Sequence, residues 1–455
     1  MILSGANIFR LNFSHGTHED HSTFLKHVRE EAERLDAAIA VFQDLCGPKV
    51  RIGKVEGDAV VLEEGKSVSL RHFHSEVGNA AALYVEAFDP AKVMDVGERA
   101  FLSDGQIELV ARKVTKEAAE CEVVSGGVVR SRSGIAVPES KLDLTCITPK
   151  DLEDLAWGVE NRLDYIALSF VSSSRDVMNI RALLTERGAN IPIIAKVERA
   201  AALDDISNIV EAADAVMVAR GDLGLELPLE RVPLAQKLII EQANQQGTPV
   251  ITATQMLQSM VHNTVPTRAE VSDVCTAVLD GTDAVMLSEE TAIGRHPVLA
   301  IKMLDRIIRE AECEFKYQNY QPHSKGSGSA SIADAICFAA CGAADKIAAS
   351  AILACTYTGH TARLVAKYRP HQTLFGATTN RGAISRMALY WGVEPVWFAL
   401  RENSTTEEEI AHAMAAVRDV YGLKPGARVV VTAGLKTRKQ GATSLIEIRE
   451  IPRTS

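Results

Sequence analysis

Charged side chains stand within or just after short apolar runs at widely separated points of the chain. Lys196 and Glu198 close one run, Asp222 follows another, and Arg10 lies in the first. Two carboxylates could hold a hard cation such as Mg²⁺ through oxygen, with water and substrate completing its coordination. A lysine and an arginine could neutralise the charge of a phosphoryl group during its transfer. If these residues meet, they form a metal-dependent site for phosphoryl transfer.

Each of these residues also has a purely structural interpretation. A Lys-x-Glu pair on one strand, as in Lys196 and Glu198, is more often an ion pair than a catalytic unit. Taken alone, Arg10 could simply extend into solvent, and Asp222 could serve only as a helix cap. Gly221 and Asp222 could instead open a helix whose free N–H groups bind an anion. Only the convergence of several strand ends favours the functional interpretation.

Short apolar runs alternate with amphipathic stretches along most of the chain. The runs predict strands buried on both faces, as in a parallel sheet, at 6–12, 38–44, 164–170, 191–196, 213–218, 249–254 and 284–287. Helical periodicity lies between them, for example at 150–160, 174–187 and 234–245. Alternating strands and helices, with polar residues at the carboxyl ends of the strands, predict an α/β fold of the TIM (β/α)8 type.

Two further segments differ from this pattern. From residue 48 to 137, apolar and polar residues alternate between Gly–Asp turns, which predicts a small antiparallel β domain inserted into the barrel. Residues 316–331 are rich in Gly, Ser and Pro, as in a linker. We therefore predict barrel segments at 1–47 and 138–315, an inserted β lid at 48–137, the linker, and an open α/β domain at 332–455.

Composition excludes several functional classes. The 455 residues carry a formal net charge of −10, which argues against a nucleic-acid partner because phosphate backbones need clustered cations. No apolar run approaches the ~20 residues of a membrane span, and the start of the chain lacks the features of a signal peptide. The eight cysteines form no C-x-x-C pair, which favours free thiols in a reducing compartment. These features predict a soluble, cytoplasmic protein.

The chain resembles the pyruvate kinase family from its first residues to its last. The matching stretches are RLNFSHGT (10–17), QDLCGPKVR (43–51), IAKVE (194–198), MVARGDLGLELP (217–228), ATQMLQSM (253–260), PTRAEVSD (266–273) and AVLDGTDAVMLSEETA (277–292). The resemblance implies a phosphotransferase that moves a phosphoryl group from phosphoenolpyruvate to ADP, giving pyruvate and ATP at the end of glycolysis. It also implies a homotetramer in which the C-terminal domain binds effectors and contributes to assembly.

The resemblance assigns roles at the barrel strand ends. Glu198 and Asp222 match the ligands of the essential Mg²⁺ or Mn²⁺ ion. Lys196 matches the cation on the transferring phosphoryl group, Arg10 a second phosphate contact, and Thr254 a threonine beside the enolpyruvate, near the path of proton delivery. The backbone of Gly221 and Asp222 is expected to receive the substrate carboxylate.

The resemblance also implies sites for nucleotide, monovalent cation and effector. Nucleotide or phosphate contacts are expected at Asn12, His15, Arg51, Asp104 and Arg132, the last two approaching when the lid closes. The monovalent-cation positions of the family are Asn12, Ser14, Asp44 and Leu45. A sugar-phosphate or nucleotide effector is expected at a loop after a C-terminal strand, whose alternative interpretation is a plain helix cap; its residues are Thr356, Thr358, Gly359, His360 and Thr361.

One departure from the family concerns potassium. Potassium-dependent members carry Thr, Lys and Glu in the stretch that here includes Leu45 and Lys49, and Lys49 occupies the Glu position. An ammonium there would supply the positive charge that K⁺ otherwise provides. We therefore predict that K⁺ is not required. The alternative is that Lys49 is only a solvated hinge residue.

A second departure concerns the start of the chain. Seven barrel strands are predicted where the fold needs eight, and Met1 falls near the end of the family's first helix. Either the start codon is mis-assigned or the chain is a genuine truncation lacking the first β/α unit, which leaves two unpaired strand edges and an unstable or weakly active chain. A non-catalytic or regulatory relic inactivated by that loss is the alternative function. Retention of the catalytic residues favours the enzyme, and an aldolase-like lyase leaves the lid and the C-terminal domain unexplained.

Overall fold

The computed structural model describes residues 1–73, 76–103, 105–138, 146–317, 331–401, 404–434 and 443–451. The chain opens with β1 (Ile8–Asn12), α1 (His18–Arg34) and β2 (Ala40–Asp44). Thr17 caps α1, since its hydroxyl accepts from the Asp20 N–H while the Asp20 carboxylate accepts from the Thr17 N–H. This reciprocal pair satisfies two free N–H groups of the first turn and starts the helix immediately after the loop that leaves β1.

The inserted β segment follows β2. Its described elements are β3 (Ala59–Leu62), β4 (Ser67–His72), β5 (Ala82–Val85), α2 (Pro90–Val93), β6 (Arg99–Leu102), β7 (Ile107–Val114), β8 (Ala118–Ser125), β9 (Gly127–Arg130) and β10 (Ile135–Ala136). One sheet has the order β10-β6-β7-β8-β4-β5, and β3 pairs with β9. The pairing is antiparallel except between β4 and β5, which run parallel. The connection between them, residues 73–81, is longer than the tight turn of a hairpin.

The barrel continues after the lid. Its elements are α3 (Pro149–Glu160), β11 (Tyr165–Leu168), α4 (Ser174–Glu186), β12 (Ile193–Val197), α5 (Ala201–Asp204), α6 (Ile206–Ala212), β13 (Ala215–Ala219), α7 (Arg220–Glu226), α8 (Val232–Gln246), β14 (Val250–Ala253), α9 (Arg268–Asp280), β15 (Ala284–Met286), α10 (Glu289–Ala292) and α11 (Pro297–Cys313). The strands form one parallel sheet in the order β1-β2-β11-β12-β13-β14-β15. The predicted parallel strands and the TIM-type architecture are thereby confirmed.

The C-terminal part forms a second α/β unit. Its described elements are α12 (Ile332–Lys346), β16 (Ala351–Cys355), α13 (His360–Ala366), β17 (Thr373–Thr378), α14 (Arg381–Met387), β18 (Val393–Trp397), α15 (Thr406–Tyr421), β19 (Arg428–Gly434) and β20 (Thr443–Glu450). The sheet order is β18-β17-β16-β19-β20, with β20 antiparallel to β19. Strand β18 contains Pro395 and lies at the edge of the sheet, where a strand tolerates a residue without an N–H.

The two units meet at the floor of the barrel, below the amino ends of its strands. Inward-facing residues of the strands form a buried cluster that includes Phe42, Tyr165, Met217 and Ile251. Leu389, from the segment between α14 and β18, belongs to the same cluster and is only 1% exposed. The C-terminal unit therefore seals the lower layer of the barrel interior. No helix in the described ranges combines the length and apolar character of a membrane span.

Candidate active site

The carboxyl ends of neighbouring barrel strands come together in register. Asn12 at the end of β1 pairs with Asp44 at the end of β2, and Asp44 pairs in turn with Ala167 on β11. On the next strand, Lys196 is the last residue but one of β12, and Glu198 directly follows that strand. Because these strands are parallel and adjacent, their terminal side chains point into one shared space.

Lys196 is the centre of this space. Its ammonium lies 2.8 Å from a carboxylate oxygen of Glu198 and 3.0 Å from one of Asp44, and it donates to the Ser169 hydroxyl at 2.7 Å. The guanidinium of Arg10 lies 2.6 Å from the other oxygen of Asp44. Lys196, Asp44 and Glu198 are all buried. The structure therefore brings together two cations and two carboxylates from three separate segments of the sequence, at residues 10, 44 and 196–198.

The charges of these groups are set by their neighbours. Burial works to lower the pKa of Lys196, but Asp44 and Glu198 outweigh it and hold that pKa above its ordinary value. Burial works to raise the pKa of Asp44, and Lys196 and Arg10 outweigh it, so that pKa lies below its ordinary value. The ammonium and the Asp44 carboxylate are therefore both charged at neutral pH.

Ser169 is a site residue that the sequence analysis missed. It stands directly after β11, and its hydroxyl accepts from Lys196 and donates to the Leu45 carbonyl oxygen at 2.7 Å. It thereby links the ends of β2, β11 and β12. The signal was available, since Ser169 is a polar residue at the end of a buried strand, but it carries no charge.

Replacing Ser169 by alanine is expected to lower kcat by about tenfold, because a hydrogen bond to a charged group is worth about 1.5–3 kcal/mol and its loss frees the ammonium to shift between Asp44 and Glu198. Steady-state turnover measures this. Ser172→Ala is the matched control, since the Ser172 hydroxyl accepts from Arg199 at 3.3 Å, outside the Lys196 cluster. Unchanged kcat in Ser169→Ala would contradict the assignment.

Glu198 and Asp222 form the candidate metal centre. One Glu198 oxygen accepts from Lys196, and the other accepts from the Phe170 N–H at 2.7 Å, which leaves lone pairs on both oxygens. Burial raises the pKa of Glu198, Lys196 opposes this, and the nearby negative charge of Asp222 raises it further. A cation between the two carboxylates would relieve that repulsion, so the donor set fits a divalent ion.

Water and phosphate oxygens are the expected source of the remaining ligands of such an ion. Within the described residues, no three His, Cys, Asp or Glu side chains are grouped so that they could enclose a metal. This agrees with the preference of Mg²⁺ for few carboxylates supplemented by water and phosphate oxygens.

Thr254 stands immediately after β14 and contacts the start of α7. Its hydroxyl oxygen accepts the Gly221 N–H at 2.9 Å, and its carbonyl oxygen accepts from Arg220 at 2.6 Å. Arg220 is held in turn by both carboxylate oxygens of Asp273, each at 2.7 Å. The Gly221 N–H, predicted to receive a carboxylate, thus donates to Thr254 here.

Several strand-end residues have unusual backbone conformations. The φ angles of Phe170, Thr254 and Gln255 are +55°, +71° and +55°, in the left-handed region that residues other than glycine rarely adopt. Such conformations are costly and persist where the surrounding structure holds them. At Phe170 the conformation directs an N–H to Glu198, and at Thr254 it accompanies the contacts to Gly221 and Arg220.

A cavity of about 200 Å³ separates the lid from the barrel. Lys49 and Phe101 line it from the lid side, and Asp222, Glu226 and Arg199 from the barrel side. Lys49 is half-buried and shares this cleft with acidic side chains. The cleft adjoins the candidate metal centre.

The predicted nucleotide residues fall into two groups. On β1 and its loop, the Asn12 side chain accepts the Ser14 N–H at 3.2 Å, and His15 is exposed. On the lid, Arg51 donates to the Arg132 carbonyl oxygen at 3.0 Å, so the structure brings these two residues together. Leu45, at a monovalent-cation position, is buried. Asp104 lies outside the described residues.

The predicted effector loop lies in the C-terminal unit, on a different sheet from the Lys196 cluster. Thr356 accepts the Gly359 N–H at 3.1 Å, and the Thr361 hydroxyl lies 2.7 Å from that of Thr443. Thr358 is partly exposed. Burial, assisted by Arg363, lowers the pKa of His360 to about 4, so His360 is neutral at physiological pH.

Comparisons with known proteins match both parts of the chain to one family. Residues 1–301 match the family model described as pyruvate kinase, barrel domain, and residues 334–449 match pyruvate kinase, alpha/beta domain. A pyruvate kinase of Geobacillus stearothermophilus is 41% identical over 453 residues, covering 98% of this chain and 76% of the relative. A pyruvate kinase of Thermococcus litoralis is 38% identical, covering 99% of this chain and 94% of the relative. Pyruvate kinase 2 of Synechocystis is 39% identical, covering 99% and 76%.

Proposed function

This chain belongs to the pyruvate kinase family, and from that premise we propose how its own residues carry the transfer of a phosphoryl group from phosphoenolpyruvate to ADP. The observation that supports the proposal is the meeting of Lys196 with Asp44, Glu198 and Ser169 beside Arg10. This convergence supports a shared functional site over separate local ion pairs, because one buried ammonium contacts groups from three strand ends. Retention of Arg10, Lys196, Glu198, Asp222 and Thr254 together favours the enzyme over a non-catalytic relic, which has no need of all five.

The reaction places negative charge where these cations lie. An oxygen of the ADP β-phosphate attacks the phosphorus atom, and the bond from phosphorus to the enol oxygen breaks. The electron pair leaves on the enolate of pyruvate, which then takes a proton at its methylene carbon. Lys196 stabilises the charge on the transferring group and the enolate oxygen, while Arg10 provides a second contact to the phosphate.

Thr254 is proposed to act beside the enolpyruvate. Its hydroxyl oxygen accepts from Gly221, so the hydroxyl proton remains available for donation toward the substrate. The clamp from Arg220 and Asp273 fixes the Thr254 carbonyl and with it the backbone. We propose that the substrate carboxylate binds at the start of α7. The Gly221 N–H would then donate to the substrate instead of to the Thr254 hydroxyl.

Glu198 and Asp222 are proposed to hold Mg²⁺ or Mn²⁺. When bound, the ion would neutralise phosphate oxygens and orient the transferring group. The contact between Phe170 N–H and Glu198 orients that carboxylate before any ion binds.

The lid is proposed to bind the nucleotide. Arg51, whose guanidinium donates to the Arg132 carbonyl oxygen, and Arg132 are proposed to contact the nucleotide phosphates, and Asp104 remains a predicted contact. On the barrel, Asn12 and His15 are proposed to meet the same ligand. Closure of the lid over the cleft would exclude water and prevent hydrolysis of the phosphoryl group.

We expect turnover of phosphoenolpyruvate and ADP with Mg²⁺ in buffers that lack K⁺. Lys49 lies half-buried in the cleft with Asp222 and Glu226, where an ammonium can supply the charge of a monovalent cation. Pyruvate formation, coupled to lactate dehydrogenase in tetramethylammonium salts, measures this. Activity that rises from near zero on addition of K⁺ would refute the prediction, and no pyruvate under any salt would refute the assigned activity itself.

Lys49→Glu, alone or with Leu45→Thr, should convert the enzyme to potassium dependence. The added carboxylate removes the positive charge and the threonine supplies an oxygen at a monovalent-cation position. Lys54→Glu is the matched control, because Lys54 is an exposed lysine of the same stretch and its reversal of charge should leave the K⁺ response unchanged.

We further propose that the loop formed by Thr356, Thr358, Gly359, His360 and Thr361 binds a sugar-phosphate or nucleotide effector. A change in the substrate saturation curve on addition of sugar phosphates tests this.

A homotetramer is proposed on family grounds, to be measured by sedimentation velocity. A cytoplasmic location is proposed likewise, to be checked by cell fractionation.

A further inference from the structure

Three aspartates at the floor of the barrel share one pattern of contacts. Each stands immediately before a strand and accepts the N–H of a residue at the start of the preceding strand in the sheet. The three bonds run from Val41 to Asp164 at 2.7 Å, from Ile193 to Asp214 at 2.9 Å, and from Val250 to Asp283 at 3.0 Å. Each aspartate thus ties the amino ends of two adjacent strands together.

An arginine neutralises each of these aspartates, but the third arginine has a different origin. Arg29 of α1 lies 2.8 Å from Asp164, and Arg181 of α4 lies 2.9 Å from Asp214. In each case the arginine lies on the helix that precedes the strand whose N–H the aspartate accepts. The corresponding helix α8 provides no arginine at this place. Arg369, between α13 and β17 of the C-terminal unit, contacts Asp283 instead, at 2.8 Å.

The third pair is also the most enclosed. Arg369 is 2% exposed, compared with side-chain exposures of 35% for Arg29 and 40% for Arg181. One Arg369 nitrogen donates to Asn244 of α8 at 2.9 Å, and its guanidinium lies 4.8 Å from the ring centre of Trp391. A buried charge pair of this kind is intolerant of losing one partner.

The backbone at Arg369 is shaped for this contact. Its φ angle is +46°, in the left-handed region that is unfavourable for a residue with a side chain. The Trp391 N–H also donates to Asp283 at 3.3 Å, and Leu389, two residues earlier, fills the barrel floor. Side chain and backbone of the C-terminal unit therefore converge on one aspartate of the barrel.

Strand β14 connects this contact to the reaction. Asp283 holds the N–H of Val250, the first residue of β14, and Thr254 follows the last residue, Ala253. The hydrogen bond between Val250 and Asp283 lies at one end of this strand, and Thr254 lies at the other. The strand is short and fully buried, with a rise of about 3.3 Å per residue. A shift of the amino end would move Thr254 relative to Gly221 and Arg220.

We propose that Arg369 is a positioning residue for the reaction, through which the C-terminal domain sets the placement of β14 and hence of Thr254. The inference rests on the proposed role of Thr254 beside the enolpyruvate. It gives the C-terminal domain a direct mechanical connection to the chemistry, with Asp283 as one of its points of attachment to the barrel.

The test uses Arg369→Met in the full-length chain. We expect kcat to fall by about tenfold, with the same fall in the exchange of pyruvate methyl protons with solvent deuterium, measured by NMR with Mg²⁺ and ATP. The KM for ADP should stay unchanged, because the nucleotide contacts lie elsewhere. Calorimetry should resolve separate unfolding of barrel and C-terminal domain.

The double variant Asp283→Asn with Arg369→Met separates position from stability. Asparagine still accepts from Val250 and leaves no buried charge, so the double variant should regain thermal stability over Arg369→Met while keeping the low kcat and the slow proton exchange. Recovery of all three would overturn the proposal, since the arginine would then serve stability alone.

Arg449→Met is the control. Arg449 pairs with Glu407 and Glu447 inside the C-terminal domain, so its loss should leave kcat and proton exchange unchanged.

If Arg369→Met does not fold, the double variant and Arg369→Lys are measured in the same way, and wild-type kcat with wild-type exchange in either would refute the inference. An inactive wild-type chain would refute the assigned activity instead, while calorimetry would still report the connection of the domains.

Discussion

Replacing Lys196 by methionine is expected to lower kcat by about 10²–10³-fold, the effect of removing one preorganised electrostatic donor from a water-excluded site. The ammonium contacts Asp44, Glu198 and Ser169, and no other side chain described here reaches all three. Arg10, paired with Asp44, cannot take its place because its guanidinium is already held on the other carboxylate oxygen. The measurement is kcat for pyruvate formation at saturating phosphoenolpyruvate, ADP and Mg²⁺.

The same substitution should destabilise the fold, so stability must be measured beside activity. Methionine leaves two buried carboxylates without their common cation, at a cost of about 3–5 kcal/mol. Denaturant unfolding gives the folded fraction, and kcat is expressed per folded molecule. Lys237→Met is the control, because Lys237 forms an ion pair with Asp280 on the surface, which is worth little to stability. A Lys196→Met enzyme of near wild-type kcat would end the assignment.

Replacing Glu198 by glutamine, or Asp222 by asparagine, is expected to weaken Mn²⁺ binding by about 10- to 100-fold or more, where each tenfold step is about 1.4 kcal/mol. The two carboxylates are proposed as the protein's ligands, and each substitution removes a negative charge that an ion would neutralise. The measurement is free Mn²⁺ by electron paramagnetic resonance during titration of the protein, which reads binding without turnover.

Glu226→Gln provides the matched control. Glu226 lines the same cleft as Asp222, but its carboxylate accepts the Ala200 N–H at 3.3 Å and is faced by Arg199. We expect Mn²⁺ affinity close to wild type. Loss of Mn²⁺ binding in Glu226→Gln, with retention in Glu198→Gln, would show that the ion lies between Asp222 and Glu226 and would contradict our placement.

Acidity should affect the same site in a defined direction. Burial raises the pKa of Glu198, Lys196 opposes that shift, and Asp222 adds to it. Glu198 therefore takes up a proton at a higher pH than an exposed glutamate, and the proton competes with the metal. Mn²⁺ affinity should decline on acidification as pH falls through that raised pKa, and Asp222→Asn should move the decline to lower pH.

The barrel and the meeting of its polar strand ends were predictable because the carboxyl ends of parallel strands share one edge of this fold. The apolar runs before Asp44, Lys196 and Thr254 identify the strands, and parallel pairing then brings their ends together without any knowledge of the partner residues. Convergence of Lys196 with Asp44 follows from this rule. The rule also covers Ser169, but a serine after a strand is too common to single out without its contacts.

Contacts between the two units could not be predicted in the same way. Arg369 and Asp283 lie far apart in sequence, and nothing in the local pattern of either residue names the other. The same holds for Leu389 in the barrel interior, whose apolar side chain is equally consistent with the core of its own domain.

The position of Leu389 in the barrel floor has a consequence for the order in which the protein is made. The last barrel strand ends at Met286, but the inner layer of the barrel stays open below until Leu389 has left the ribosome. The growing chain therefore holds a nearly finished barrel with an unsealed apolar base while residues 287–389, which include the first part of the next domain, are translated.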